Sequence, residues 1–127
     1  MLDLDHFKSV NDAFGHDGGD KALRWLSLLL KASIRGSDII CRYGGEEFTL
    51  ILPDASVTDA LQRMEQLRKD IKQLAIRHQG KSMNQFSGSF GIAVFPENGS
   101  TSEALLKAAD EALYRAKQAG RDQVMTA

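Results

Sequence analysis

One cysteine, no long apolar run and no surplus of charge of either sign limit what this 127-residue chain can be. Cys41 alone can form no internal disulfide, which argues against a disulfide-stapled scaffold and fits a reducing compartment; on a strand, a free cysteine reads as a plain core residue. Sixteen Lys and Arg against seventeen Asp and Glu leave a formal charge of −1. That balance argues against a basic nucleic-acid surface and against an acidic disordered tail, so any phosphate binding must be local. No apolar stretch is long enough to span a bilayer, and the start has no basic region followed by a signal-type apolar core. We therefore expect a soluble, cytoplasmic chain with no membrane segment and no nucleic-acid partner. His6, His16 and His78 lack cysteine or histidine partners at zinc-like spacing, which leaves zinc out. No repeat or low-complexity linker appears, and 43% hydrophobic content suffices for one globular domain with a real core.

What is present has a clear order. "MLDLD" reads as a short strand, followed by a polar helical turn through "HFKSVNDAFG" and a glycine-containing break at "HDGGD". A long helix then runs from Lys21 to about Ile34, with Ala22, Leu23, Leu26, Leu29, Leu30 and Ile34 as its buried stripe. Asp20 is in N-cap position and Gly36 lies near the stop. Strands Ile39 to Tyr43 and Phe48 to Leu52 flank Gly44, Gly45, Glu46 and Glu47, a tight hairpin. A second amphipathic helix is expected from Thr58 to Ile76, then a polar loop, then a strand in "FSGSFGIAVFP" whose glycines suggest close approach of another backbone. The last helix, Ser102 to Ala119, ends at Gly120, and "DQVMT" can supply an edge strand.

The order β-α-α-β-β-α-β-α-β predicts an α+β fold, a ferredoxin-like central antiparallel sheet with flanking helices. Right-handed crossovers put the first strand in the middle, beside the hairpin, so that Asp3 approaches Glu46 and Glu47. A hairpin tip uses glycine because it reaches φ > 0 without steric penalty, but turn formation does not call for two glutamates. Three carboxylates from neighbouring strand ends make a hard, oxygen-only cluster suited to Mg²⁺, as two-metal phosphoryl transfer needs. The start "DLDHFKSVNDAFG" is not an EF-hand: Phe7 stands where an oxygen ligand is required, and the following glycine is missing.

The stretches "DLDHFKSVNDAFGHDGGD", "RGSD", "GGEEF", "SFGIA" and "AADEALYRAKQAGRD", in this order and spacing, resemble the successive motifs of the GGDEF domain of bacterial diguanylate cyclases. The match runs essentially end to end. The resemblance implies condensation of two GTP into cyclic di-GMP and two pyrophosphates, in second-messenger signalling, with one GTP on each subunit of an antiparallel homodimer. By the same resemblance Asp3, the carbonyl of Leu4 and Glu46 hold Mg²⁺, with Mn²⁺ an alternative. Glu47 assists, and Glu46 also takes the proton from the attacking 3′-hydroxyl. Gly44 and Gly45 let the hairpin backbone lie against the nucleotide; the plain alternative is an ordinary Gly-Gly turn. Asn11 and Asp20 match the guanine-reading pair, against the alternatives of a turn residue and a helix N-cap. Lys117 and Arg121 match the grip on the terminal phosphates, aided by backbone N–H groups around His6, Phe7 and Lys8; read alone, Lys117 is a solvated charge. Arg35 and Asp38 resemble the RxxD site at which cyclic di-GMP inhibits, although elsewhere they would be a helix-end charge and a loop acid.

Two departures stand out. Gln66 falls where many inhibited members carry a further arginine, with Arg63 and Arg68 close by. The family's first helix and its Asp-x-Leu-Thr loop precede the point where this chain begins, so residues 1–127 read as a GGDEF domain lacking both, with upstream sensor or receiver domains outside it. A catalytically silent module that binds GTP or cyclic di-GMP, and a pure dimerisation domain, are the competing classes; intact Asp3, Glu46, Glu47, Asn11, Asp20, Lys117 and Arg121 favour the enzyme.

Base choice gives the first test. If Asp20 accepts from guanine N1–H and the 2-amino group, Asp20→Ala weakens GTP by roughly ten- to a hundredfold while ATP is little changed, measured by competition binding. Equal losses for both nucleotides would point to a structural role.

Overall fold

Leu-Asp-Leu is short for a central strand, yet all three residues are buried: Leu2 0% exposed, Asp3 6%, Leu4 1%. In the computed structural model, which describes residues 1–127, this segment is β1 (Leu2–Leu4) and is followed by α1 (Phe7–Ser33), β2 (Ile39–Arg42), β3 (Glu47–Ile51), α2 (Val57–Lys72), β4 (Ile76–His78), β5 (Lys81–Met83), β6 (Gly88–Ile92), α3 (Ser102–Gln118) and β7 (Val124–Thr126). The main sheet has five strands in the order β2-β3-β1-β6-β7. Its pairs are antiparallel except β6–β7. The expected α+β architecture and the central place of the first strand are both present. No helix is long and apolar enough to cross a membrane.

Alternation in β1 and β6 sorts the layers. Leu2, Leu4, Phe48 and Phe90 join Leu23, Leu26, Leu30, Met64, Leu67 and Ile71 in one core under α1 and α2. Met1 meets Ala109 and Leu113 of α3 on the other face. Gly91 makes that second contact possible: a Cβ there would lie 2.1 Å from the Ala109 carbonyl oxygen and 2.4 Å from the Leu113 nitrogen. The close backbone approach expected for this strand is thus the α3 backbone. Ser56 and Thr101 cap α2 and α3, accepting from the N–H groups of Asp59 and Ala104.

The elements differ from the sequence reading in several places. The break before the long helix is Gly15 alone (φ 74°, ψ 173°), with helix on both sides. Gly18 and Gly19 are helical and buried because the two segments fold together: a Cβ on Gly18 would meet the Phe14 Cβ at 2.4 Å, and one on Gly19 the Asn11 Oδ1 at 1.8 Å. Asp20 therefore sits inside a helix and is no N-cap. The second helix stops at Lys72, with the Gln73 N–H closing onto Asp70 and Ile71. Ile76 begins a missed ribbon, β4–β5, turned by Gln79 and Gly80 at φ 50° and 78°, the positive-φ pair that a two-residue hairpin demands. The strand in "FSGSFGIAVFP" is only Gly88–Ile92. Cys41 is exposed on the edge strand β2 and is not a core residue.

The tight α3–β6 contact predicts that Gly91→Ala lowers unfolding free energy by about 1–3 kcal/mol or more in urea titration. Gly45→Ala, whose Cβ meets no atom within 4 Å, leaves the midpoint unchanged.

Candidate active site

Antiparallel register decides which side chains can meet. Asp3 stands opposite Glu47 on β3 and opposite Ser89 on β6, and directly opposed residues share a face. The Leu4 N–H donates to the Glu46 carbonyl at 3.3 Å, which ties the hairpin tip to the end of β1. Inside the turn, the Tyr43 and Gly44 N–H groups donate to the Glu47 carbonyl at 2.8 and 3.3 Å. Outside it, the Arg42 guanidinium donates to the Gly45 carbonyl, at 3.0 Å from Nε and 2.7 Å from Nη2.

Neither Gly44 nor Gly45 has a left-handed backbone, contrary to the turn argument made from sequence. A Cβ on Gly45 would meet nothing, and one on Gly44 only the Glu47 carboxylate at 3.2 Å. The fold itself makes little use of these glycines. Their bareness leaves backbone open to whatever lies against it.

Asp3 is the electrostatic centre. Burial pushes its carboxyl up to about 6; the hydrogen bond and charge of Lys117 oppose that rise, and Glu46 and Glu47 add to it. The Lys117 Nζ lies 3.0 Å from the Asp3 Oδ2, so here it neutralises the acid, where the family resemblance put it on phosphate. The three carboxylates interact but do not close into a ligating cluster. Their chemistry still suits a hard divalent cation: all donors are oxygens, they repel one another, and an ammonium group is drawn onto the most buried one. Asp3, the Leu4 carbonyl, Glu46 and Glu47 are the residues that would hold Mg²⁺ or Mn²⁺.

The start of α1 adds donors. His6, left-handed at φ 53°, gives no side-chain cap. The first-turn N–H groups, including those of Phe7 and Lys8, are therefore available to an anion. Beyond Gly15 the two segments of α1 meet where Asn11 lies on Gly19, next to the exposed Asp20. With the N-cap role gone, the guanine-reading role for Asp20 loses its main rival.

Arg35 and Asp38 lie at the opposite end of β2 from the hairpin tip, about 20 Å along the strand direction. Asp38 is buried and accepts from the Arg35 N–H at 2.8 Å and from the Arg63 guanidinium. The Arg63 hydrogen bond chiefly holds its carboxyl below the usual range, against the opposing effect of burial. The Arg35 side chain reaches Asp59 at 3.4 Å. Asp38 Oδ1 and Arg63 Nη1 are buried without partners. Arg63 is thus the helix arginine at this site, whereas Gln66 donates to Asp70 and Arg68 turns to Glu65 and Asp122.

Two further acids were missed from sequence. Asp5, 5% exposed, accepts from the Ser87 hydroxyl (2.8 Å), the Ser89 hydroxyl (2.7 Å) and the Asp122 N–H (3.0 Å). Asp122 in turn accepts from Arg68 and Lys72, both at 2.7 Å. The Asp-x-Asp spacing could have suggested that Asp5 shares the face of Asp3, but its partners are far away in the chain. A largely apolar groove of about 530 Å³ opens elsewhere, among Ile51, Pro53, Val94 and Leu105. Such walls cannot recognise phosphate.

The family described as "Diguanylate cyclase, GGDEF domain" matches residues 1–123. The chain is 43% identical over 127 residues to the response regulator PleD of Caulobacter vibrioides, covering 98% of this chain and 28% of that protein. It is 42% identical to the diguanylate cyclase DgcP of Pseudomonas aeruginosa, over 100% of this chain and 19% of that one. The chain therefore spans under a third of either relative. Among solved structures, the GGDEF domain of DgcB from Caulobacter crescentus in complex with c-di-GMP superposes with a TM-score of 0.91 at 30% identity, covering 98% of this chain and 74% of that one. The GGDEF domain of PA1120 from Pseudomonas aeruginosa gives 0.92 at 38% identity, covering 99% and 78%.

The raised pKa of Asp3 has a defined sign. With about 6 in the folded state against 3.8 ordinarily, the folded form holds this proton more tightly. Its contribution to stability is present below about pH 4 and is lost as pH rises through 6. In chelator-treated protein, Asp3→Asn should flatten that slope and raise stability at pH 7.5 by about 1–3 kcal/mol in urea titration. A variant with the parent's slope would refute the assignment.

Proposed function

Because the chain belongs to the GGDEF domain family, we propose that it is the catalytic domain of a diguanylate cyclase, joining two GTP into cyclic di-GMP with loss of two pyrophosphates. The observation that carries this reading is Asp3, paired with Lys117, opposite Glu47 and under the charge of Glu46 at one end of the sheet, beside a helix start with no side-chain cap.

Each residue then has a task. A divalent cation held by Asp3, the Leu4 carbonyl and the two glutamates would offset phosphate charge and acidify the attacking hydroxyl. Glu46 accepts the proton of the 3′-hydroxyl as that oxygen forms its bond to the α-phosphorus of the other GTP and the bond to pyrophosphate breaks. Gly44 and Gly45 let the turn backbone lie along the nucleotide. Asn11 and Asp20 read the guanine edge, which adenine cannot match because it lacks the two donors. Lys117 exchanges Asp3 for phosphate oxygens when nucleotide arrives, and Arg121 and the first-turn N–H groups of His6, Phe7 and Lys8 take the rest. Each domain holds one GTP, so two copies must face one another for both bonds to form. At the far end of β2, Arg35, Asp38 and Arg63 form the site for the product; cyclic di-GMP has to replace Arg63 or Arg35 as the partner of Asp38.

Glu46→Gln removes charge and base together while leaving the Arg35/Asp38 site alone. Chromatography of a GTP/Mg²⁺ incubation of the full chain should show turnover lowered by about 10²-fold or more. Calorimetry should show unchanged binding of added cyclic di-GMP. Undiminished turnover would refute the assignment.

A further inference from the structure

Arg121 and Asp122, at the turn between α3 and β7, are both left-handed, at φ 65° and 48°. Aspartate tolerates that region and arginine does not favour it, so two such residues in a row must be held from outside. Four elements hold them. The Asp122 N–H donates to Asp5 at the end of β1 (3.0 Å), and Asp5 is fixed in turn by Ser87 and Ser89 of the β6 strand region. From the outer side, Arg68 and Lys72 of α2 grip the Asp122 carboxylate at 2.7 Å each. The Arg121 N–H closes onto the Ala116 carbonyl of α3 at 3.0 Å. The Arg121 side chain itself is exposed.

A buried acid that served only the core would need its two serines and no more. The third hydrogen bond of Asp5 goes to the residue next to Arg121, and the same residue is the one that α2 seizes. Backbone strain of this kind persists where the surroundings over-determine it, which is common where a side chain must be aimed. We propose that Asp5 and Asp122 are positioning residues: together they clasp the α3–β7 turn to the end of β1 and thereby aim Arg121 at the terminal phosphates of the nucleotide. This rests on the phosphate role given to Arg121 above.

The clasp can be read with and without nucleotide, in the full chain. Trypsin cleavage after Arg121, followed by mass spectrometry, reports the turn alone. With each rate divided by that of the same chain unfolded in urea, since an acid after the arginine itself slows trypsin, Asp5→Ala and Asp122→Gly should be cut there roughly tenfold faster than the parent. Asp5→Asn should behave as the parent, because its amide can still accept from Asp122 and donate to a serine hydroxyl. Asp122→Gly keeps the left-handed backbone and carries the test should Asp5→Ala not fold. In the second arm, calorimetry compares GMP with a GTP analogue bearing a non-cleavable α,β bridge. Both disruptive variants should lose about tenfold affinity for the analogue and none for GMP, and should lose nothing further in an Arg121→Ala background. Unchanged cleavage, equal losses for GMP, or losses that add to that of Arg121→Ala would each overturn the proposal. If Arg121→Ala alone leaves the analogue's affinity intact, the phosphate role falls and the aim of the clasp with it, while the cleavage arm still shows whether the turn is held.

Discussion

The structure depends on how one short strand disposes of two buried carboxylates. β1 is covered on both faces and flanked by β3 and β6, so Asp3 and Asp5 leave water when the sheet forms. Desolvated acids must find donors. Asp5 finds three, two hydroxyls and a backbone N–H, and becomes a fixed joint between β1, β6 and the α3–β7 turn. Asp3 finds one, the Lys117 ammonium, faces Glu47 across the register and feels the charge of Glu46 as well. The satisfied carboxylate organises the end of the sheet; the under-satisfied one is left with unspent affinity for positive charge.

Helix α2 ties this end to the rest of the domain. Its Arg63 lies on Asp38, and farther along the same helix Arg68 and Lys72 lie on Asp122. One rigid rod thus contacts both the start of β2 and the turn that carries Arg121. The two ion-pair sets differ in kind. Asp38 is enclosed and keeps a buried oxygen without a partner, whereas Asp122 is fully engaged and partly exposed. An incomplete enclosed pair is open to exchange with another donor, while a complete one is a brace.

How much of this was legible in the sequence follows from the range of the interactions. The GGEE hairpin and the last helix are local patterns, period 2 around glycine and period 3.6 behind a threonine cap, and they stand where they were expected. The central place of β1 followed from crossover handedness. Gly18 and Gly19 were misread because a glycine pair signals a break just as well as it signals two helix segments pressed together, and only the Asn11 and Phe14 side chains tell the two apart. Asp20 inherited that error. Cys41 was assigned to the core because a strand has two faces and the sequence does not say that β2 is an edge. The β4–β5 ribbon hid behind a helical stripe that continued through Leu74 and Ala75, carrying the expected helix to Ile76. Asp5 was invisible as a joint because its partner Asp122 is 117 positions away.

The glutamates at the hairpin tip can now be weighed against the turn that bears them. The turn closes through backbone bonds from Tyr43 and Gly44 and is braced by Arg42, none of which involves a carboxylate. The glutamates instead push Asp3 toward protonation, a cost to the folded chain wherever the acids are ionised. A fold that needed only a hairpin would lose this penalty by placing neutral residues there. A fold that binds a divalent cation gains from the same repulsion, because the cation removes it and so binds with the energy the acids had held apart. The bare glycines beside them fit the same logic: they leave backbone uncovered at the point where charge of one sign is concentrated.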